Sequence, residues 1–377
     1  MVYLNRQFAL FTLSFVFGTS LAVVGCGSDG LPAKTIDPGD TVDQGTPVDP
    51  GDPSTPVDPG DPSTSSTTIR SRLTNFEPLP AIMAEVRPSQ VLIDLGRQLY
   101  FDPRLSVTND VSCNSCHMLD QYGVDDPSQP TSAGTGGQMG GRNAPTVYNA
   151  ALHLFQFWDG RAQQVEDQAL GPILNPIEMG MPDPETVINK IGPIYQSAFE
   201  KAFCGDPNPM TYANIGTAIG AFERTLVTPA PWDKYLTGSD DALTNEELAG
   251  LGKFLDTGCD SCHNGVAVGG RDFAQLGVAS PAYPGLLLDT GREGVTNNPF
   301  DMNVFKVPSL RNIEKTGPYF HNGSVETIEE AVKLMAKYQL NKDLSDADVA
   351  SIVTFLKALT GDLPADTSAP PLPPDSP

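Results

Sequence analysis

Basic side chains are scarce in this chain. Its 377 residues hold 23 Lys and Arg against 46 Asp and Glu, a formal net charge of −23. A surface so short of cations excludes a nucleic-acid-binding protein, because phosphate backbones are held by Lys and Arg. The same imbalance fits a basic partner, or solubility alone. Runs of alternating apolar and polar residues are scarce as well, which counts against a sheet-built fold. Long apolar runs are missing except at the start, where Phe8 to Val24 is almost wholly apolar. Histidine and cysteine are rarer still, at four and six. A motif that uses several of them at once therefore stands far above chance.

Such a motif is present twice. Cys-x-x-Cys-His stands at Cys113–His117 and again at Cys259–His263, taking four of the six cysteines and two of the four histidines. One chance copy has a likelihood on the order of one in a thousand by composition, and the pentapeptide is the attachment site of c-type haem. Two intervening residues let Cys113 and Cys116, or Cys259 and Cys262, reach one porphyrin edge. The adjacent His117 or His263 then turns its ring nitrogen onto the iron. A zinc site could also use such pairs. A thioredoxin-like pair would need a βαβ pattern, and neither copy has one. Two structural disulfides would leave both histidines unexplained.

The first 26 residues read as an export signal, with Arg6 before the apolar run. The run is short for a membrane span. Val23-Val24-Gly25-Cys26 resembles a bacterial lipoprotein cleavage box, so Cys26 is expected to carry lipid and anchor the chain to a membrane without spanning it. An ordinary signal peptide cleaved nearby is the alternative. Export suits c-type haem, which is attached outside the cytoplasm, and places the protein on the periplasmic side or cell surface. Residues 27–68 read as a disordered tether, in which PVDPGDPST at Pro47–Thr55 repeats at Pro56–Thr64. At ~3.1 Å per residue such a Pro-rich chain reaches on the order of 100 Å. The tail 361–377 is equally Pro-rich and is expected to be disordered. Cys204 has no evident partner and is expected as a buried thiol.

The rest, Ile69 to Thr360, suffices for two modest domains. Helical spacing is clear in Gln90–Phe101, stopped by Asp102-Pro103. A capping-box signature at Thr244–Glu247 opens a helix over Asn245–Leu255 that runs into Cys259. Thr327–Tyr338 carries Met335 on its apolar side, and Ser345–Ala358 is amphipathic. The expected fold is mainly α, with one haem unit over 69–236 and another over 237–360.

Ser112–His117, Arg142–Asn149, Gln156–Arg161, Gln168–Pro172, Glu178–Gly180, Phe305–Arg311 and Gly317–His321 follow one another in an order that resembles the bacterial di-haem cytochrome c peroxidases. The resemblance covers about residues 75–360. That family also contains MauG-type enzymes, which oxidise protein side chains. The resemblance implies two covalent haems c, a peroxidatic one at His117 and an electron-receiving one at His263. Met335 matches the second axial ligand of the latter, and a thioether there raises the potential. MauG-type enzymes have a tyrosine at this place, so Met335 favours the peroxidase branch. On the residues alone, a Met on an apolar helix face reads as core packing.

Glu178 matches the catalytic acid–base, although a glutamate is ordinarily a surface carboxylate. Gln168 matches an amide that orients peroxide or holds Glu178. Trp158 corresponds to a tryptophan lying between the haems. Asn143, with the carbonyls of Thr316 and Pro318, matches the ligands of a calcium ion that locks two cytochrome c-like domains together. The family's habits further imply hydrogen peroxide as substrate, a small cationic donor (a c-type cytochrome or a cupredoxin) and homodimers. A di-haem electron conduit without catalysis is the non-enzyme alternative, and it would not require Glu178 and Gln168 together. The pattern departs at one place. Many relatives cap the peroxidatic iron with a distal histidine in Ser-x-Gly-His; here the stretch is Ser132-Ala-Gly-Thr135. Threonine is a poor haem ligand, so an open or water-ligated iron is expected. His153 is expected to pack at a helix end, and His321 is left without a role.

Overall fold

The computed structural model describes residues 69–79, 88–280 and 284–375. The export signal, Cys26 and the tether lie outside them. The described residues form helices α1 (Gln90–Phe101), α2 (Cys113–Cys116), α3 (Val165–Leu174), α4 (Pro184–Ala202), α5 (Tyr212–Glu223), α6 (Pro231–Leu236), α7 (Asn245–Thr257), α8 (Glu293–Thr296), α9 (Ile328–Leu340) and α10 (Asp346–Lys357). One antiparallel strand pair, β1 (Phe273–Gln275) with β2 (Val304–Lys306), completes the regular structure. The architecture is mainly α, as the scarcity of alternating patterns predicts. Among the described residues no helix is long and apolar enough to cross a membrane.

The helices stand where local chemistry places them. Ser89 caps α1 by accepting from the Leu92 amide, and the helix buries Leu92, Ile93, Leu95, Leu99, Tyr100 and Phe101 on one side. Thr244 and Glu247 close a reciprocal capping box at the start of α7. Thr327 and Ser345 cap α9 and α10 from one residue outside each helix.

Two apolar cores result. In the first, α1 crosses α5, and α3 packs on α5. In the second, α7 crosses α10. Both main crossings rely on glycine. A Cβ on Gly96 would lie 1.8 Å from the Ala218 carbonyl oxygen, and one on Gly250 would lie 2.1 Å from that of Ser351. Trp232 is the centre of the second core, edge-on to Phe76 and Phe355. Ile69, Leu73, Phe76 and the α6 residues Trp232 and Tyr235 belong to that core too. The unit expected over 69–236 thus lends both its ends to the other one.

The tail corrects an expectation. Residues 361–375 are not a disordered appendage but lie along the first unit. Leu363 packs on the first core. Arg97 pairs with Asp366 at 2.5 Å and donates to the Ser368 carbonyl at 2.7 Å. Arg104 donates to the Pro373 carbonyl at 3.0 Å and pairs with Asp375 at 2.8 Å. A Pro-rich segment has solvated carbonyls and few amides to satisfy, so side-chain donors on a neighbouring helix suffice to order it. Composition misses this because the donors lie far away in sequence.

Asp102, which stops α1, is buried and accepts from the Arg104 guanidinium and from the Tyr195 hydroxyl at 2.7 Å. Burial would raise its pKa, but the Arg104 and Tyr195 hydrogen bonds prevail and hold it below the usual carboxylate range. A depressed folded pKa contributes stability that is present above the unfolded value, ~3.9, and lost as pH falls through the folded one. Parent and Asp102→Asn should therefore differ most in Tm at neutral pH, and the gap should close below about pH 4. A gap that stays constant down to acid pH would refute this.

Candidate functional site

Each Cys-x-x-Cys-His motif stands on the wall of its own cavity. In the first, α2 is a single turn begun by Ser112, whose amide donates to Ser115 Oγ at 3.0 Å. That turn puts Cys113 and Cys116 on the cavity wall with His117 directly after them. Nδ1 of His117 lies 3.4 Å from the Gly123 carbonyl. A carbonyl only accepts, so Nδ1 carries the proton and Nε2 is left with its lone pair. Burial lowers the His117 pKa and keeps the ring neutral. Both thiols are free. Burial pushes Cys113 far up and Cys116 up to about 11, so both stay protonated.

Glu178 and Gln168 line the same cavity. Gln168 comes from α3. Glu178 sits on the turn after it, held by its amide to the Asn175 carbonyl at 3.0 Å. Burial raises the Glu178 pKa, against the opposing pull of Arg161 and a hydrogen bond from Asn175. Thr135 is buried and is not among the residues lining this cavity. Its hydroxyl meets Thr108 Oγ1 at 2.5 Å, and its amide donates to the Glu178 carbonyl at 2.7 Å. His117 is the one histidine on this wall; His153, His263 and His321 all line the other cavity.

The second cavity is lined by Cys259, Cys262, His263 and, from α9, Met335, with Ile328, Val332 and Leu356 around them. Gly258 ends α7 in the left-handed region and starts the turn that carries Cys259. Burial pushes the Cys259 thiol up to about 12 and His263 down to about 4. The Pro308 and Val268 carbonyls face the His263 ring, but its Nδ1 has no partner within hydrogen-bond geometry. This imidazole is therefore less firmly oriented than His117.

Trp158 and Asn143 line both cavities. The Trp158 indole N–H donates to the Asn143 carbonyl at 2.9 Å, and the Trp158 carbonyl accepts from the Lys306 amide at 2.8 Å. His321, stacked on Phe305 at 4.2 Å between centroids, presents its edge to the indole at 6.3 Å. Burial takes the His321 pKa down to about 4, so this is a neutral packing residue. Its carbonyl accepts from the Asn143 amide at 2.8 Å. Thr316 and Pro318 line the same cavity as Asn143. The Asn143 side-chain NH2 donates to Pro130 at 3.2 Å, which leaves Oδ1 as the amide's remaining polar atom.

The family profile for di-haem cytochrome c peroxidase matches residues 90–241. A cytochrome c551 peroxidase of Nitrosomonas europaea is 46% identical over 80% of this chain and 89% of its own length. One from Pseudomonas aeruginosa is 42% identical over 79% and 90%. The chain belongs to the di-haem cytochrome c peroxidase family. A solved MauG-like protein associated with microbial copper homeostasis superposes with a TM-score of 0.67 at 28% identity, covering 79% of this chain and 97% of that one.

Family membership implies two c-type haems, and the residues fit them. Each cavity offers two free cysteines on one wall and a half-buried, neutral imidazole beside them. Other residues around the cavities have contacts that the sequence does not assign. Arg142 joins Asp159 at 2.6 Å and Asp289 at 2.6 Å, tying the segment around Trp158 to the second unit. Arg161 shares Asp159 at 2.9 Å and lines the first cavity. Glu223, the last residue of an apolar helix, lines that cavity as well, and burial pushes it up to about 8. His153 follows a short 3-10 turn, consistent with packing at a helix end, but it also lines the second cavity. Cys204 is corrected: it is exposed rather than buried.

Proposed function

We propose that this chain reduces hydrogen peroxide to two waters, taking up two protons and two electrons delivered singly by a small redox protein. The observation that carries the reading is the half-buried Glu178 carboxyl on the cavity of Cys113, Cys116 and His117, its pKa raised by desolvation. Bound there, haem would supply the redox-active iron that accepts peroxide and passes electrons. His117 would hold that iron, and His263 with Met335 the other. Glu178 would take a proton from the bound peroxide and return it to the departing oxygen. Gln168 would orient the peroxide or hold the Glu178 carboxyl. Trp158, on the wall of both cavities, would carry the electronic coupling between them. A calcium ion on Asn143 Oδ1 and the Thr316 and Pro318 carbonyls would keep the two units in register.

The donor is a c-type cytochrome or a cupredoxin, and the charge of −23 favours a cationic one. Cys26 carries lipid and holds the protein at a membrane on the periplasmic side or cell surface, and the protein works as a homodimer. With Thr135 bonded to Thr108 and no second histidine lining the first cavity, the chain offers no histidine to cap a haem held there, and that site would stay open in the ferric protein. Fully oxidised protein mixed with peroxide and a reduced small cytochrome should turn over from the first mixing, without prior reduction. A ferric spectrum of two low-spin haems, one of them bis-histidine, would sink the open-iron reading. Absence of any peroxide-dependent cytochrome oxidation would sink the peroxidase.

A further inference from the structure

The second cavity has an apolar wall with one charged residue on it. Lys306, the last residue of β2, is 6% exposed and is the only Asp, Glu, Lys or Arg among the described residues that line that cavity. Among the described residues no carboxylate comes within ion-pair distance of its ammonium. Among the described residues the one hydrogen-bond partner of that ammonium is His153 Nδ1, at 3.4 Å. The far nitrogen of that ring, Nε2, is buried and has no partner at all. Two polar groups thus end on the same cavity with their hydrogen-bonding capacity unused.

An ammonium this deep is strongly disfavoured unless an anion accompanies it. Burial accordingly pushes Lys306 down to about 8, and burial with the nearby Lys306 charge pushes His153 well below its ordinary value. The missing partner is a carboxylate that arrives with the cavity's occupant. A haem held by Cys259 and Cys262 brings two, on the porphyrin edge away from the thioether bonds. We propose that Lys306 and His153 form the carboxylate clamp of this site, with Lys306 pairing to a haem propionate and a His153 ring N–H donating to one. The inference rests on the reading that this cavity takes haem c.

The pairing has a consequence for electron flow. The Lys306 amide is bonded to the Trp158 carbonyl, so the clamp fixes the propionate edge beside the indole that borders both cavities. The Lys306 charge also offsets the propionate and favours the reduced iron. Both effects are positional and electrostatic, and neither residue touches peroxide.

The test uses the mature di-haem protein as parent, Lys306→Met and Lys306→Arg. Haem stoichiometry is measured first, then the midpoint potential of each haem by spectroelectrochemistry at one pH. Two haems per chain are expected throughout. The Met variant should show a lower potential at the electron-receiving haem alone, and the Arg variant should restore the parent value. An unshifted potential in a Met variant that holds both haems overturns the clamp. A parent with fewer than two haems overturns the reading beneath it instead. If Lys306→Met fails to mature, the resonance Raman propionate bending mode decides on Lys306→Arg and His153→Gln. It should shift in both, and a mode unchanged in both overturns the proposal.

Discussion

Exchange of Glu178 for glutamine is expected to lower kcat/KM for peroxide by about 10²- to 10⁴-fold, the usual contribution of a positioned acid–base. That range corresponds to roughly 3–5.5 kcal/mol of barrier. Glutamine keeps the size and polarity of the side chain but can neither take nor return a proton. The position is suited to the role because burial raises the carboxyl while Arg161 and Asn175 limit the rise. A carboxyl raised in this way keeps its proton more readily than an exposed glutamate. Since Glu178 is not expected to bind iron, both haem spectra should stay as in the parent. Stopped-flow mixing of ferric enzyme with peroxide isolates the first step, and steady-state turnover with a reduced cytochrome measures the whole cycle. Equal rates in the variant would remove Glu178 from the chemistry.

Loss of Arg311 should be the most damaging single change to the fold. The guanidinium is fully buried and grips Asp233 through both arms, at 2.9 and 2.8 Å. Its Nε donates to the Val266 carbonyl at 2.6 Å. Asp233 in turn accepts the Leu79 amide at 2.9 Å and the Ala230 amide at 2.8 Å. One ion pair therefore joins the N-terminal segment, α6, the stretch after Cys262 and the segment after β2. Breaking a buried pair by removing one partner is expected to destabilise by about 3–5 kcal/mol, because the other charge is left without compensation. Arg311→Met should show this as a fall in the guanidinium midpoint of the second unit. The double variant Arg311→Met, Asp233→Leu should recover part of the loss, since a well-packed apolar pair can replace a buried ionic one. A single variant within about 1 kcal/mol of the parent would show that the pair adds little to stability.

Much of this was legible without coordinates where the information is local. The spacing of Cys113, Cys116 and His117 is a property of one helical turn. The caps at Ser89, Thr244, Thr327 and Ser345 are properties of four-residue windows. The resemblance singles out Glu178, Gln168, Trp158 and Met335; Glu178 and Gln168 line the first cavity, Met335 the second and Trp158 both. The failures share a cause. Cys204 read as buried because cysteine usually is, and the tail read as disordered because it is Pro-rich. Neither statistic sees how the rest of the chain packs. The donors for the tail, Arg97 and Arg104, belong to a different unit from the helix that leads into it.

The sequence by itself determined that the chain carries two haem c attachment motifs and that it is mainly helical. Those follow from motif spacing and periodicity, while the absence of a histidine in Ser132–Thr135 gains meaning only through the resemblance. Only the tertiary structure decided that Trp158 and Asn143 border both cavities, that residues 69–79 close the second core, and that Lys306 stands as a lone charge facing an apolar cavity. The physical reason is distance along the chain. A cavity wall, a buried ion pair or an unpaired ammonium exists only when segments far apart in sequence pack together, and no local window records which segments those are.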